Sequence, residues 1–420
     1  MRVRIHRGAQ QIGGSCVEVE AQGHRIVLDL GRPLDAPPDV VVPLPSVDGI
    51  DGRPGTLLGI LLSHPHRDHW GLIPDVAPSV PLYMGEAGHR ILREAAFWGA
   101  GDFDVPLAGA FVDRNPFQLG PFRVTPFLAD HSAFDAYSLL IEADGESVFY
   151  TGDFRGHGRK AGLFERLLLD PPRDVDVLLM EGTQIPSAGG AMRGSSPSEA
   201  DVEVDFTASF CASPGPVLVA MSAQNIDRLV TVFRACRRAQ RTLVVDLYSA
   251  RVAIATGHRS IPQPGFDGYR VWVPHGQRVR VKVSGQFERV QLGSARIFPE
   301  EMARIARAGV FLFRPGLAGE LDRAGCIADA RLVWSLWPGY LEAPHDATIR
   351  PFLDRHRMEP QVLHTSGHAT AADLLRLVAA LRPRRLVPIH TFGRDRYAEL
   401  FGGAATVDMH DDGLWWEVRS

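Results

Sequence analysis

The stretch SHPHRDHWG, residues 63–71, follows the apolar run LLGILL and crowds three histidines and an aspartate onto the end of a predicted buried strand. Because alternate side chains of an extended segment point the same way, His64 and His66 are predicted to share one direction. Asp68 and His69 follow where the chain must turn, which brings all four side chains toward one point. Imidazole nitrogens with a carboxylate suit Zn²⁺, and Mn²⁺ is the alternative where oxygen ligands dominate. The stretch therefore predicts a divalent metal site in preference to a surface histidine cluster.

Further metal ligands are expected from distant parts of the chain, because four residues this close together cannot complete two metal shells. His131 in LADHS and Asp153 in YTGDFR each close an apolar strand. His368 in HTSGHA and His390 in LVPIH repeat this placement near the C-terminus. Read alone, each histidine is more often a structural or surface residue. Their shared position after a strand favours one common site.

The pattern of predicted elements divides the chain into three segments. Strands and short helices alternate up to about residue 185, and the Gly/Ser/Pro stretch IPSAGGAMRGSSPS marks a boundary at residues 185–198. After an N-cap at Ser198 with Asp201 in the capping-box position, strand, helix and strand follow one another, which is typical of a parallel sheet. A second boundary is predicted near GYLEAPHDATIRPF. The predicted segments are 1–189, 190–345 and 346–420.

The net charge and the distribution of apolar residues limit the classes of function that the sequence allows. The formal net charge is −4, so a surface that binds nucleic acid would have to be local. Candidates for phosphate contact are the Arg-rich pieces RACRRAQR (234–241), QRVRVKV (core 278–283) and RPRR (382–385), each of which could equally be a solvated face. No apolar leader and no run of about 18 apolar residues occurs, so we expect a cytoplasmic protein outside the membrane.

Several motifs resemble one protein family. HPHRDH, His131 and Asp153 in TGDF resemble the metal motifs of the metallo-β-lactamase superfamily, and LDLG around Asp29 resembles its first, mainly structural motif. Glu181 in LLMEGT, with the TSGHA and VPIH motifs, resembles motifs A, B and C of the β-CASP nuclease group. The stretch HTSGHATAADLLRLVAALRPRRLVPIH is similar to the ribonuclease J family. The resemblance extends over nearly the full chain.

The resemblance implies a fold and a set of residue roles. The fold would be an α/β, four-layer αββα metallo-β-lactamase domain, split in sequence by an inserted α/β β-CASP domain, with the active site in the cleft between the two. Two divalent cations, Zn²⁺ or else Mn²⁺, would be bound. The implied ligands are His64, His66 and His131 for one cation, Asp68, His69 and His390 for the other, and Asp153 for both. Glu181 would orient His368 beside the scissile phosphate, Asp68 would also be catalytic, and Ser366 and His364 would contact substrate.

The implied function is hydrolysis of RNA phosphodiester bonds by endonuclease or 5′–3′ exonuclease cleavage. Single-stranded RNA is the expected partner, and the chain is expected to be a monomer or a homodimer. At the position of His390, in motif C, the histidine resembles that of RNA-cleaving members of the group, whereas DNA-cleaving members tend to carry valine. The alternatives are a DNA nuclease of the same fold, a small-molecule metallo-hydrolase and a catalytically silent binding subunit. SLWPGYLE (335–342) lacks the glycine- and asparagine-containing pattern of the ribonuclease J 5′-phosphate pocket, which argues against dependence on the 5′ end.

Overall fold

A computed structural model describes residues 1–37, 40–99, 105–191 and 195–419. The chain forms two compact units, the first comprising Met1–Leu92, Phe103–Ser196 and Gly367–Ser420, and the second comprising Arg93–Asp102 and Pro197–Ser366. Residues 192–194 of the predicted boundary stretch lie outside the described residues. Residues 346–366, which the sequence placed in the last segment, belong to the second unit, because a strand at Gln361–Val362 pairs with its sheet.

The strands are numbered in chain order: β1 Arg2–Arg7, β2 Cys16–Ala21, β3 His24–Leu28, β4 Leu57–Leu61, β5 Leu82–Gly85, β6 Leu107–Phe111, β7 Phe117–Leu119, β8 Phe122–Leu128, β9 Tyr137–Ala143, β10 Glu146–Tyr150, β11 Val177–Glu181, β12 Val217–Ala220, β13 Thr242–Asp246, β14 Tyr269–Trp272, β15 Arg296–Ile297, β16 Gly309–Phe313, β17 Arg331–Trp334, β18 Gln361–Val362, β19 Arg385–Ile389, β20 Thr406–Val407 and β21 Trp415–Glu417. The helices are α1 Arg67–Trp70, α2 Glu86–Trp98, α3 Ala161–Leu169, α4 Glu199–Ala212, α5 Ile226–Arg238, α6 Leu247–Ala255, α7 His275–Ser284, α8 Pro299–Ala306, α9 Ala318–Arg323, α10 Arg350–His356, α11 Ala371–Leu381 and α12 Tyr397–Phe401.

Two mixed sheets build the first unit. Their strand orders are β21-β1-β2-β3-β4-β5-β6 and β20-β19-β11-β10-β9-β8-β7. In each sheet an antiparallel part adjoins a parallel part: β3 to β6 are parallel in one, and β10, β11, β19 and β20 are parallel in the other. Parallel strands place their carboxyl ends at one edge of a sheet, which is where the predicted metal ligands follow their strands.

The core of the first unit lies between these two sheets. Strand β11 shows the arrangement, because successive side chains of a strand point to opposite faces. Val177 and Leu179 join one apolar cluster with residues of both sheets. Leu178 and Met180 join a second cluster, in which buried leucines of α11 and Phe164 of α3 cover the outer face of the sheet. An all-apolar strand such as VLLM fits this position because both of its faces are buried.

A parallel sheet forms the second unit, in the order β15-β14-β13-β16-β12-β17-β18. The predicted N-cap is present, since the Ser198 side chain accepts from the Asp201 backbone N–H and the Asp201 carboxylate accepts from the Ser198 backbone N–H. A fully buried ion pair joins α4 to α5, where Arg228 donates through Nη2 to Glu199 Oε1 at 3.0 Å. Among the described residues, no helix has the length and apolar character needed to cross a membrane.

Candidate metal centre

The predicted ligands come from the ends of strands and the loops that follow them. His64 and His66 follow β4, Asp68 and His69 lie in α1, and the others follow β8, β10 and β19 or, for Glu181, end β11: His131, Asp153, His390 and Glu181. His368 lies just before α11. All nine side chains belong to the first unit. The shared carboxyl edges of the strands therefore bring together residues that are far apart in sequence.

The ligand atoms form three overlapping groups, and within each group all atoms lie within 4.8 Å of one another. The groups are His64, His66, His131 and Asp153; Asp68, His69, Asp153 and His390; and Asp153, Glu181, His368 and His390. Asp153 is common to all three groups. Its Oδ2 lies 3.2 Å from His69 Nε2 and 3.6 Å from His64 Nε2. The structure thus places every sequence-predicted metal ligand around one carboxylate.

Hydrogen bonds at Nδ1 orient three of the histidines. His69 Nδ1–H donates to the Asp29 carboxylate at 2.7 Å, and His131 Nδ1–H donates to the Gly367 carbonyl at 2.6 Å. Because the Ser63 hydroxyl donates its proton to Asp29, His64 Nδ1–H donates to the Ser63 oxygen at 3.0 Å. A donor at Nδ1 leaves the lone pair of a neutral imidazole at Nε2. In the neutral form of each ring, Nε2 is therefore available as a metal ligand.

Three buried polar atoms at this point have no hydrogen-bond partner among the described residues: His64 Nε2, His69 Nε2 and Asp153 Oδ1. Leaving a buried polar atom unpaired costs about 1–3 kcal/mol. Three such atoms converge here, and all are lone-pair donors of the kind that divalent transition metals prefer. The donor set therefore fits one or more divalent cations.

Burial and charge set the protonation of the cluster. Burial, together with neighbouring histidines, holds the pKa of His64 and His131 well below the usual value, and burial lowers the pKa of His66 to about 4. These three imidazoles are therefore neutral at neutral pH, which is the form that binds a metal. Burial alone would also lower the pKa of His69, but the carboxylates of Asp153 and Asp29 outweigh it and raise that pKa. Burial would raise the pKa of Asp153, but the surrounding histidines lower it.

Glu181 and His368 form a pair beside the cluster. Glu181 is buried, and its Oε1 accepts from the Phe154 backbone N–H at 3.0 Å while its Oε2 accepts from the Thr183 N–H at 3.2 Å. Oε2 also lies 3.2 Å from His368 Nδ1. Burial would lower the pKa of His368, but Glu181 and Asp153 raise it to about 9. The backbone amides fix the carboxylate, and the carboxylate in turn orients the imidazole.

The backbone near the cluster contains two constrained positions. A Cβ on Gly31 would lie 1.7 Å from the Asp68 carbonyl oxygen, so only glycine allows this approach to α1. The Leu30 N–H donates to the His69 carbonyl at 2.7 Å and holds α1 in the same place. His390 has φ of 53°, a left-handed conformation that costs energy for a residue with a side chain. Its Nε2 lies 3.3 Å from Asp68 Oδ2.

His364 and Ser366, predicted to contact substrate, belong to the second unit. Within that unit, His364 Nδ1–H donates to the Ser335 carbonyl at 3.3 Å. Their role in substrate contact stays a prediction. Sequence reasoning missed three supporting hydroxyls: those of Ser63 and Tyr150 donate to the Asp29 carboxylate, and that of Thr183 lies 2.9 Å from His390 Nδ1. Ser63 immediately precedes a ligand-bearing motif in the sequence, which is the signal that could have identified it.

Comparisons with known proteins give matches for most of the chain. Residues 34–200 match a family described as a beta-lactamase superfamily domain, and residues 356–401 match a Zn-dependent metallo-hydrolase RNA specificity domain. The chain is 25% identical to a ribonuclease J of Mycobacterium tuberculosis, covering 93% of this chain and 68% of the relative. It is 25% identical to a ribonuclease J of Mycolicibacterium smegmatis, covering 97% and 71%, and 23% identical to one of Sinorhizobium meliloti, covering 88% and 64%.

One solved structure, described as a protein of unknown function from Enterococcus faecalis V583, superposes with a TM-score of 0.78 at 19% identity and covers 99% of both chains. At this identity the likeness concerns the fold alone. The fold of the whole chain, including the second unit, is therefore one that has been observed before.

Proposed function

We propose that the chain is a metal-dependent ribonuclease, because residues 34–200 match a beta-lactamase superfamily domain, residues 356–401 match an RNA specificity domain, and its ribonuclease J relatives cover most of the chain. The resemblance to this superfamily and to ribonuclease J, inferred from sequence motifs, is confirmed, as are the α/β metallo-β-lactamase fold and the hydrolase class. The DNA-nuclease and small-molecule hydrolase alternatives are not favoured.

The observation that carries this proposal is that Asp153 lies both in the group with His64, His66 and His131 and in the group with Asp68, His69 and His390. We assign His64, His66 and His131 to one cation, Asp68, His69 and His390 to a second, and Asp153 to both. Nitrogen ligands outnumber carboxylates here, which favours Zn²⁺ over Mn²⁺. When bound, two such cations supply charge stabilisation at the phosphate and a lowered pKa for water.

The remaining residues of the site act on the substrate or orient those that do. Glu181 holds His368 through Nδ1 and so fixes the ring beside Asp153, whose Oδ2 lies 3.6 Å from the same nitrogen. We assign His368 to the scissile phosphate, where it donates to the leaving oxygen or to a non-bridging oxygen. Asp68 contributes to catalysis by holding both a cation and His390. His364 and Ser366 are assigned to substrate contact.

The proposal is tested by changing Asp68 and His69 to alanine together. Purified protein with Zn²⁺ or Mn²⁺ is expected to cleave single-stranded RNA, and the double variant is expected to lose cleavage and part of its bound metal. A matched control replaces an exposed aspartate and an exposed histidine of the same unit, Asp395→Ala with His24→Ala, and should behave as wild type. Cleavage that persists in the Asp68/His69 variant would overturn the proposal.

The mode of cleavage is tested with RNA labelled at either end and carrying a 5′-monophosphate or a 5′-triphosphate. Release of mononucleotides from one end indicates an exonuclease, and discrete internal fragments indicate an endonuclease. Single-stranded DNA of the same sequence serves as the comparison substrate. Equal cleavage of DNA and RNA would contradict the assignment of RNA as the preferred substrate.

A further inference from the structure

Three aromatic rings form an exposed cluster in the second unit. The ring centroids of Trp337 and Tyr340 are 5.3 Å apart at 90°, and that of His345 lies 6.2 Å from Trp337 and 6.1 Å from Tyr340. Trp337 is 52% exposed and Tyr340 is 43% exposed. Neither ring belongs to the apolar core of the unit, which includes the neighbouring Trp334. Large aromatic side chains left in water at one point mark a surface that binds something.

The cluster is held in place by the backbone beneath it. A Cβ on Gly339 would lie 2.2–2.5 Å from three carbon atoms of the Trp337 indole, so the ring rests directly on the glycine backbone. The Trp334 Nε1–H donates to the Trp337 carbonyl at 3.2 Å, and Arg350 Nη2 donates to the Leu341 carbonyl at 3.1 Å. A ring that is seated before a ligand arrives loses little conformational freedom on binding.

The cluster follows the carboxyl end of β17 in an all-parallel sheet. Ligands of such sheets bind outside the carboxyl ends of the strands. Ser335, the first residue after β17, donates its hydroxyl to the Leu363 carbonyl at 2.6 Å, and its own carbonyl accepts from His364. The aromatic cluster is therefore joined through Ser335 to the segment that carries His364 and Ser366.

We propose that Trp337, Tyr340 and His345 form a stacking platform for unpaired nucleobases of the RNA. This inference rests on the proposed ribonuclease function. About half of the Trp337 and Tyr340 side-chain surface is exposed, and flat nucleobases stack on exposed aromatic rings. The neighbouring segment His364–Ser366 offers imidazole and hydroxyl groups, which suit the phosphates and sugars of the same strand. An aromatic platform of this kind accepts any base, with purines stacking over a larger area than pyrimidines.

The platform is tested by RNA binding to the Asp68→Ala, His69→Ala variant, which keeps the substrate intact. Oligo(A), oligo(U) and an abasic oligonucleotide of the same length separate base stacking from backbone contact. Adding Trp337→Ala should weaken oligo(A) binding at least about fivefold, reduce the preference for oligo(A) over oligo(U), and leave abasic binding unchanged. Gly339→Ala, which displaces the indole, should weaken oligo(A) binding to a smaller degree.

The matched control is Phe298→Ala, an aromatic side chain of the same unit that is 46% exposed and lies outside the cluster. It should bind all three oligonucleotides as the parent does. In the cleavage-competent protein, Trp337→Ala should raise KM for oligo(A) and leave kcat unchanged, because binding energy that is the same in substrate and transition state affects KM alone.

Equal binding of oligo(A) by Trp337→Ala and its parent would overturn the platform, as would an equal loss for abasic and normal RNA. A change in self-association without a change in RNA binding would also overturn it, since the cluster would then be a protein interface. These outcomes differ from failure of the proposed function, in which the unmodified protein neither binds nor cleaves RNA.

Discussion

Asp29 illustrates how single buried carboxylates organise the metal centre without lying in any of its ligand groups. The carboxylate accepts from the Ser63 backbone N–H at 2.6 Å, the Tyr150 hydroxyl at 2.6 Å and His69 Nδ1 at 2.7 Å. Its φ of 56° adds backbone strain that these bonds offset. The sequence predicted Asp29 as a structural motif, and its contacts with His69 explain why. Tyr150 could not be predicted as a partner, because it lies on another sheet and the contact depends on the packing of the two sheets.

The Glu181 carboxylate contacts His368 Nδ1 as the Asp29 carboxylate contacts His69 Nδ1. Replacing Glu181 tests whether it positions the His368 imidazole. Glu181→Gln is expected to lower kcat on RNA about 100-fold with KM unchanged, because an amide no longer holds the imidazole as the carboxylate does. Bound metal, measured on the same samples, should stay at the wild-type level. Loss of metal instead would identify Glu181 as a ligand, and an unchanged kcat would contradict a positioning role. Glu142→Gln, at a more exposed carboxylate of the same sheet, is the matched control.

At the scale of elements, the alternation of apolar and polar side chains occurs both in the strand β1 and in the helix α7. In RVRIHR the side chains of Val3 and Ile5 are buried and the alternate ones are not, as expected for a strand. The stretch RVRVKV shows the same alternation but forms part of helix α7. In this helix Val281 is buried, while Val279 and Val283 are 45% and 83% exposed. The helix instead follows Pro274 and ends at Gly285, whose φ of 71° suits a left-handed C-cap. Alternation predicts a strand only where a neighbouring strand is available to pair.

The antiparallel pair β1–β2 contains a buried charge that should make stability depend on pH. Glu18, directly opposite Arg4 in the register, accepts from Arg4 Nη2 at 2.6 Å and from His6 Nε2 at 2.7 Å. Burial would raise the pKa of Glu18, but hydrogen bonds from His6 and Arg4 outweigh it and lower that pKa. A lowered pKa in the folded state means that ionised Glu18 stabilises the fold above the ordinary carboxyl pKa of about 4.3 and ceases to do so as the pH falls through the folded-state value.

Glu18→Gln is therefore expected to lower the free energy of unfolding at pH 7 by about 2 kcal/mol. The difference from wild type should shrink as the pH falls below about 4 and vanish once wild-type Glu18 is protonated. Urea denaturation at a series of pH values measures both effects. Glu399→Gln, at an exposed carboxylate, should show no such trend. A constant difference between Glu18→Gln and wild type at all pH values would contradict the linkage.

At the scale of the whole molecule, the metal centre belongs to one unit although its ligands extend from residue 64 to residue 390. The sequence predicted these ligands because each follows a strand, and strand ends meet at one edge of a sheet. It placed the end of the inserted segment earlier than the structure does, because β18 has only two residues and no periodicity of its own. The cleft location of the site, the oligomeric state and the cellular compartment stay predictions.

Removal of metal is expected to affect the two units differently. With the cations chelated, His64 Nε2, His69 Nε2 and Asp153 Oδ1 would be buried without partners, which destabilises the strands that carry them. Hydrogen–deuterium exchange after addition of a chelator should rise in peptides around β4, β10 and β19. Exchange in β12 and β13 of the second unit should stay the same and provides the internal control. A uniform rise in both units, or none at all, would contradict the placement of the cations.

In the sequence, most of the second unit lies between two parts of the first, and this order has a consequence for biosynthesis. A ribosome completes residues 197–366 before it makes His368, the strand Arg385–Ile389 and His390. Until then the sheet of the first unit that contains β11 lacks β19, the strand that lies between β11 and β20. A growing chain tethered to its own messenger RNA is therefore without two histidines of the metal centre, and we expect it not to cleave that transcript before His390 has been made.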